Sequence, residues 1–141
     1  AQAEAMPKDV VVLDVPADLA IVFDRGHLNQ IVWNLARNAW QHCQRKPGSI
    51  RIAARAGYMG DVVICELGDD GKGIPAETRG QIFEPFFTTR HGGTGLGLYI
   101  ARELTDANGG SLELLPKEPG AHFRLTLKRA GEPAAKLARE A

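Results

Sequence analysis

The chain of 141 residues carries 17 Lys+Arg against 17 Asp+Glu, and this neutrality removes the electrostatic ground for binding nucleic acid or an acidic membrane. With 44% hydrophobic and 24% charged residues it reads as one soluble domain with room for a sizeable core. No run approaches the ~20 apolar residues of a membrane span. The N-terminal Ala1-Gln2-Ala3-Glu4-Ala5 has neither the basic start nor the apolar run of a signal peptide. Cys43 and Cys65 lack CxxC or Cys/His ligand spacing, so two free thiols in a reducing compartment are expected rather than a zinc site.

Residues 1–9 read as a loose leader. Val10-Val11-Val12-Leu13-Asp14-Val15 is β-branched and predicts a strand closed by Pro16. Ala20-Ile21-Val22-Phe23 predicts a second short strand, or a turn into a helix capped by Asp24. From His27 to about Cys43, Leu28, Ile31, Val32, Leu35 and Ala39 recur at three- and four-residue steps, the stripe of an amphipathic helix that Pro47-Gly48 breaks. Residues 49–56 and 61–67 predict two antiparallel strands joined near 57–60. A short helix is expected within 75–83, and a mobile loop, rich in glycine and aromatics, over 84–93. Thr94 is expected to cap a helix running to about Ala107, with Leu96, Ile100 and Leu104 on its buried side. Asn108-Gly109-Gly110 then provides a left-handed stop. Residues 111–115 and 122–127 form a closing hairpin around Pro119-Gly120, and the Ala-, Lys- and Glu-rich residues 129–141 read as a flexible tail behind a domain of 10–128. This order predicts an α+β fold, a two-layer sandwich with helices on one face of a mixed, mostly antiparallel sheet.

Four segments bear on chemistry. In Gln30-Ile31-Val32-Trp33-Asn34-Leu35-Ala36-Arg37-Asn38-Ala39, Gln30, Asn34 and Asn38 stand four apart and share a helix face beside the apolar stripe. An amide oxygen is a neutral hard ligand, suited to a Mg²⁺ that keeps most of its waters and bridges phosphates; a solvated polar face fits the same spacing. Asp69-Asp70-Gly71-Lys72-Gly73-Ile74-Pro75 follows a strand directly. Its glycines permit close approach of backbone to a ligand, and a carboxylate at the base of a pocket accepts a hydrogen bond from an exocyclic amine such as adenine's. An ordinary Asp-Gly surface turn is the alternative, while the spacing and terminal Glu of an EF-hand are missing. Ile82-Phe83-Glu84-Pro85-Phe86-Phe87-Thr88-Thr89-Arg90 holds three of the five phenylalanines. That fits core packing or a lid anchored on apolar surface, with Arg90 either exposed or available to a phosphate. Gly92-Gly93-Thr94-Gly95-Leu96-Gly97-Leu98 opens a helix with glycines, leaving N–H groups and the positive dipole end as a phosphate cradle. It is neither a Walker A loop, because no Gly-Lys-Ser/Thr follows, nor a Rossmann fingerprint.

In order and spacing these segments resemble the N, G1, F and G2 boxes of the histidine-kinase catalytic domain, in the ATPase superfamily shared with DNA gyrase, Hsp90 and MutL. The resemblance runs over residues 10–127. It implies a Bergerat ATP-binding sandwich with about three helices on one face, and ATP–Mg²⁺ between the N-box helix and the lid. Position by position, Asn38 resembles the catalytic, Mg²⁺-coordinating asparagine and Asn34 the phosphate-side asparagine one turn earlier. Asp69 resembles the adenine-reading aspartate, with Gly71, Gly73 and Ile74 shaping the pocket. Phe87, Thr88, Thr89 and Arg90 fall on the lid, Arg90 as the catalytic cation toward the γ-phosphate. Gly93, Thr94, Gly95, Leu96, Gly97 and Leu98 resemble the phosphate loop. Two positions depart from the pattern: Gln41 stands where many members have Lys, and Thr88 where many have Arg. The Phe86-Phe87-Thr88-Thr89-Arg90 lid and the Arg37-Asn38-Ala39-Trp40 run are most similar to the nitrogen-regulation branch, and within it to PilS-type sensor kinases.

Gyrase- and Hsp90-like hydrolases place a carboxylate one turn before the Mg²⁺ asparagine, to activate water. Asn34 stands there, an amide that takes no proton. The resemblance therefore implies a protein-histidine kinase, in which positioning and Mg²⁺ neutralisation carry phosphoryl transfer. None of His27, His42, His91 and His122 lies in a His-Glu or His-Asp helix like the family's phosphorylation box. The acceptor histidine is expected on the parent's dimerisation domain, before Ala1, with a cognate response regulator as the further partner. The isolated chain is expected to be a cytoplasmic monomer with no nucleic-acid or membrane contact; attachment of a longer parent to the inner membrane stays open. An anti-sigma-type serine kinase and a nucleotide-sensing module of the same superfamily are the alternatives.

Overall fold

The computed structural model describes residues 6–88 and 95–130. Five strands, β1 (Val11–Asp14), β2 (Ile50–Ala56), β3 (Val62–Asp69), β4 (Ser111–Leu115) and β5 (His122–Lys128), form one sheet in the order β1-β2-β3-β5-β4. β1 runs parallel to β2 and every other pairing is antiparallel, which is the mixed, mostly antiparallel sheet the sequence predicts. Strand alternation divides the two faces. Ile52, Leu67, Phe123, Leu125 and Leu127 are buried against the helices. On the other face Glu66 is ringed by Arg55 at 3.2 Å, Lys117 at 3.5 Å and Arg124 at 3.5 Å, a polar surface suited to water. The thiols of Cys43 and Cys65 are free, and burial, seconded by the charge of Glu66, pushes Cys65 up to about 11.

Helix α1 (Arg25–His42) begins where expected: the Asp24 carboxylate accepts the His27 N–H at 2.9 Å. Its apolar stripe is wider than its period shows, because Ala36 and Trp40 join Ile31, Leu35 and Ala39 in the core while Leu28 and Val32 pack at its margin. Helix α2 (Gly97–Ala107) lies antiparallel to α1. The Asn34 amide near the middle of α1 reaches Gly97 at the start of α2, and Asp24 before α1 meets Asn108 behind α2. One expectation is corrected here. Ile100 is exposed, while Ala101 and Thr105 are fully buried. With the helix starting at Gly97, the inward face runs through Leu98, Ala101, Leu104 and Thr105, and Ile100 stands about a quarter-turn off it. Thr94, the expected cap, lies outside the described residues. The expected third helix is a short 3-10 helix, Ala76–Gln81.

Smaller features close the ends of the fold. The segment 20–23 makes a single bridge, Ile21 to Arg129, flanked by bonds from Val22 N–H to Lys128 C=O and from Ala130 N–H to Ala20 C=O, both 2.9 Å. Arg129 and Ala130 are thus paired with the sheet margin. Val10 is in the core and Met6 packs against it, ahead of a 3-10 turn, Lys8–Val10. No helix among the described residues is long and apolar enough to cross a membrane.

The Asn108 side chain locks the two helices together. Its Oδ1 accepts the Asp24 N–H at 2.9 Å, and its Nδ2 donates to Leu104 C=O at 2.8 Å and to His27 Nδ1 at 2.9 Å. Asn108→Ala should lower the unfolding free energy by about 1–3 kcal/mol, as measured by urea denaturation.

Candidate functional site

The helices and the end of β3 enclose a cavity of about 320 Å³. From α1 it receives Asn34, Arg37, Asn38, Gln41 and His42; from the end of β3, Asp69; from the following segment, Gly73, Ile74, Pro75, Thr78 and Ile82. Phe87, Thr88, Gly95, Gly97 and Leu98 close it on the side of α2, and Ala121 lies beside Asp69. Of the residues expected from sequence, Asn34, Asn38, Asp69, Gly73, Ile74, Phe87, Thr88, Gly95, Gly97 and Leu98 are brought together here. Gly71 and Leu96 are described but do not line the cavity, and Thr89, Arg90, Gly93 and Thr94 lie outside the described residues.

Asp69 is the one acid among the described lining residues, only 5% exposed. Its Oδ1 accepts the Gly71 N–H at 2.8 Å and the Ala121 N–H at 3.3 Å, and its own N–H donates to Ala121 C=O at 3.0 Å. Burial pushes its carboxyl above the ordinary value, against the pull of those two N–H groups and of His42 and His122. Gly71 explains its own identity: a Cβ there would run into the carbonyl of His42 and come within 3.1 Å of Asp69 Oδ1. Asp70 turns the opposite way. Its carboxylate takes the Gln44 N–H at 2.9 Å and the Ser49 hydroxyl at 2.8 Å, and its C=O takes Gln44 Nε2 at 3.0 Å. Burial works to raise its carboxyl, but those hydrogen bonds prevail and hold it below the ordinary value. One aspartate therefore serves the cavity, and its neighbour pins the loop after α1.

The two asparagines of α1 differ in the same way. Asn34 is buried and used at both ends, its Oδ1 accepting from Gln30 Nε2 at 3.1 Å and its Nδ2 donating to Gly97 C=O at 3.0 Å. The Asn38 amide is half-buried and makes no hydrogen bond among the described residues, although its backbone C=O accepts His42 Nδ1 at 2.8 Å. Asn34 fixes α2 to α1; Asn38 offers a free amide to the cavity. On either side of residues 87–94, Phe86 N–H donates to Gly95 C=O at 2.8 Å. Gly95 has φ +72, and a Cβ on it would strike the Phe86 backbone.

Sequence reasoning did not place Arg37, His42, Pro75, Thr78, Ile82 or Ala121 at the site, and it named Gln41 only as a departure from the family's lysine. Arg37, Gln41 and His42 had a local signal, since they follow Asn34 at three, seven and eight residues and so share its helix side. Ala121 had none, because only the pairing of β3 with β5 brings it to Asp69.

A buried carboxylate braced by backbone N–H groups, a free amide in the same cavity and glycines at the start of α2, all on one sandwich, are features of a nucleotide-handling ATPase fold. The chain belongs to the histidine kinase-, DNA gyrase B- and HSP90-like ATPase family, whose model matches residues 23–131. It is 37% identical over 134 residues to the nitrogen regulation protein NtrY of Azorhizobium caulinodans, covering 91% of this chain and 17% of that protein. It is 36% identical over 112 residues to the sensor protein kinase PilS of Pseudomonas aeruginosa, covering 77% of this chain and 21% of that protein. The chain thus spans about a fifth of the length of these curated relatives. Among solved structures, the nucleotide-free catalytic domain of histidine kinase ThkA superposes with TM-score 0.73 at 31% identity, covering 88% of this chain and 84% of that one. Full-length ShkA in complex with AMPPNP gives TM-score 0.71 at 31% identity, covering 87% of this chain and 26% of that one. The branch and fold implied by the sequence motifs are those of these relatives.

The raised Asp69 carboxyl has a consequence for stability. The folded state holds the proton more tightly than the unfolded chain, so this group favours folding most below the unfolded value, near 3.8. That contribution is lost as pH rises through the folded value, after which a constant penalty persists. Asp69→Asn keeps an acceptor for both N–H groups and removes the penalty. In urea unfolding between about pH 4 and pH 8, the stability of the Asn variant relative to the parent should rise with pH and then level off.

Proposed function

We propose that this chain is the ATP-binding catalytic domain of a two-component sensor kinase, holding Mg²⁺–ATP in the cavity and passing the γ-phosphoryl to a histidine on a separate dimerisation domain. The observation that supports this most is the division along α1: Asn34 is consumed in holding α2, while Asn38, one turn later, leaves its amide free toward the cavity. In this reading Asp69 accepts the exocyclic amine of adenine at the closed end, between walls supplied by Ile74, Ile82 and Leu98. Asn38 faces the phosphate end.

The donor set fits Mg²⁺ held chiefly by substrate. The described residues contain no cluster of three or more His, Cys, Asp or Glu able to hold a metal, and a neutral amide with phosphate and water oxygens is the coordination Mg²⁺ takes beside nucleotides. When bound there, the ion neutralises charge on the bridging phosphates. Gly95, Gly97 and the start of α2 add backbone polarity on that side. Thr89, Arg90, Gly93 and Thr94 complete the lid and phosphate loop in this proposal.

Transfer to a protein acceptor fits the cavity better than hydrolysis does. Among the described lining residues α1 carries no carboxylate, and Asp69 is held by two N–H groups, so the carboxylate base that activates water in a hydrolase has no counterpart on this face of α1 among them. The acceptor imidazole nitrogen attacks the γ-phosphorus; the P–N bond forms as the bond to the β–γ bridging oxygen breaks, ADP leaves and the imidazole proton is released. A response regulator then takes the phosphoryl group. We place the domain in the cytoplasm, as a monomer when isolated.

Titration calorimetry with Mg²⁺–ATP checks the site. Asp69→Ala should abolish binding, and Asn38→Ala should remove its Mg²⁺-dependent part; either variant binding like the parent would show the assignment to be wrong. Labelled ATP with the parent's dimerisation domain supplied in trans checks the reaction. Acid-labile phosphate on that domain is expected. Acid-stable phosphoserine on a partner would point to the serine-kinase alternative, and binding without transfer to a sensing module.

A further inference from the structure

We propose that Arg37 is the cation on α1 that contacts the terminal phosphates of the bound nucleotide, in compensation for the uncharged Gln41. This rests on the reading of the cavity as a nucleoside-triphosphate site and deepens it. Three observations carry the assignment.

Arg37 lines the cavity, immediately before Asn38, and it is the one Lys or Arg among the described lining residues. A chain of three or more phosphate charges brought to that wall requires compensating positive charge beyond a single divalent ion, and a guanidinium offers paired donors matched to phosphate oxygens.

Arg37 is also uncommitted. Other arginines are engaged within the fold: Arg45 over the Trp40 ring at 4.4 Å, Arg55 on Glu66 at 3.2 Å, Arg79 on Leu115 C=O at 2.7 Å, Arg102 over the Phe83 ring at 4.5 Å. Arg37 is exposed and makes no hydrogen bond, ion pair or ring contact among the described residues. What sets Arg37 apart is that it combines this freedom with a place in the cavity wall.

The third observation is position. Arg37 and Gln41 stand four residues apart and both line the cavity, so they share one edge of α1, beside Asn34 and Asn38. A cation at either position addresses the same region of the cavity. Asp69 and Arg37 then give the cavity lining both polarities, acid for the amine of the base and cation for the polyphosphate.

The test titrates the parent, Arg37→Ala and Arg37→Lys with Mg²⁺–ATP, Mg²⁺–ADP and AMP. Arg37→Ala should weaken ATP binding by about tenfold or more with AMP affinity unchanged, and Arg37→Lys should retain most of it. Adding Gln41→Lys to Arg37→Ala should restore a large part of the lost ATP affinity, since it returns charge one helical turn away. An Arg37→Ala variant that binds ATP like the parent overturns the assignment. So does an equal loss on ATP and AMP, which would mark a general effect on α1, and so does a failure of Gln41→Lys to recover ATP binding. In each of these results the parent binds ATP and the nucleotide reading stands; a parent that binds none of the three overturns that reading and the assignment together.

Discussion

A carboxylate taken out of water must be met by donors, and the frame around Asp69 is organised by that need. Two backbone N–H groups answer it, one from Gly71 just past the strand and one from Ala121 across the sheet. The first requires a chain reversal so tight that no side chain fits against the His42 carbonyl. The second requires β5 to lie beside β3 in one register, since a slip by a residue would present a different edge to the carboxylate. Sheet pairing, loop sequence and the end of α1 are thus bound to one buried charge. Burial still outweighs the two N–H groups and holds the carboxyl above its ordinary value.

Helix α1 answers a second constraint. It is the largest contributor to the helical layer and also a wall of the site, so its residues are shared between oil and ligand. Ile31, Leu35, Ala39 and Trp40 go to the core, and the polar residues that follow one another by three, four or seven positions fan out toward the cavity. Asn34 sits at the boundary. It is as buried as a core residue, and its amide is satisfied entirely by Gln30 and the first carbonyl of α2. A hydrophobic residue there would leave that carbonyl unmet and release the start of α2, so a structural demand holds an asparagine at the place where a hydrolase would keep its base.

Much of this was legible locally. The Asp24 cap, the stripe of α1, the glycine stop behind Asn108 and the hairpin of 111–127 are short-range signals, and each lies within a residue or two of its expected place. The ordered motifs pointed to the family and to most of the cavity lining. What escaped was the physical reason for each role, which was decided at a distance. The resemblance chose Asp69 over Asp70, and the position of Gln44 and Ser49 shows why Asp70 is a loop brace. It also gave Asn34 and Asn38 different roles, and the bond to Gly97 supplies the difference between them. The inward face of α2 is set by its packing through Leu98, Ala101, Leu104 and Thr105, so a period read from the residues alone turned Ile100 the wrong way.

One hydrogen bond between Phe86 and Gly95 holds the chain on either side of residues 87–94 at contact distance. Closing a longer loop between fixed ends costs only about 0.6 kcal/mol for each doubling of length. Residues added between those two points would therefore cost the sandwich little and leave Asp69 and Asn38 where they stand.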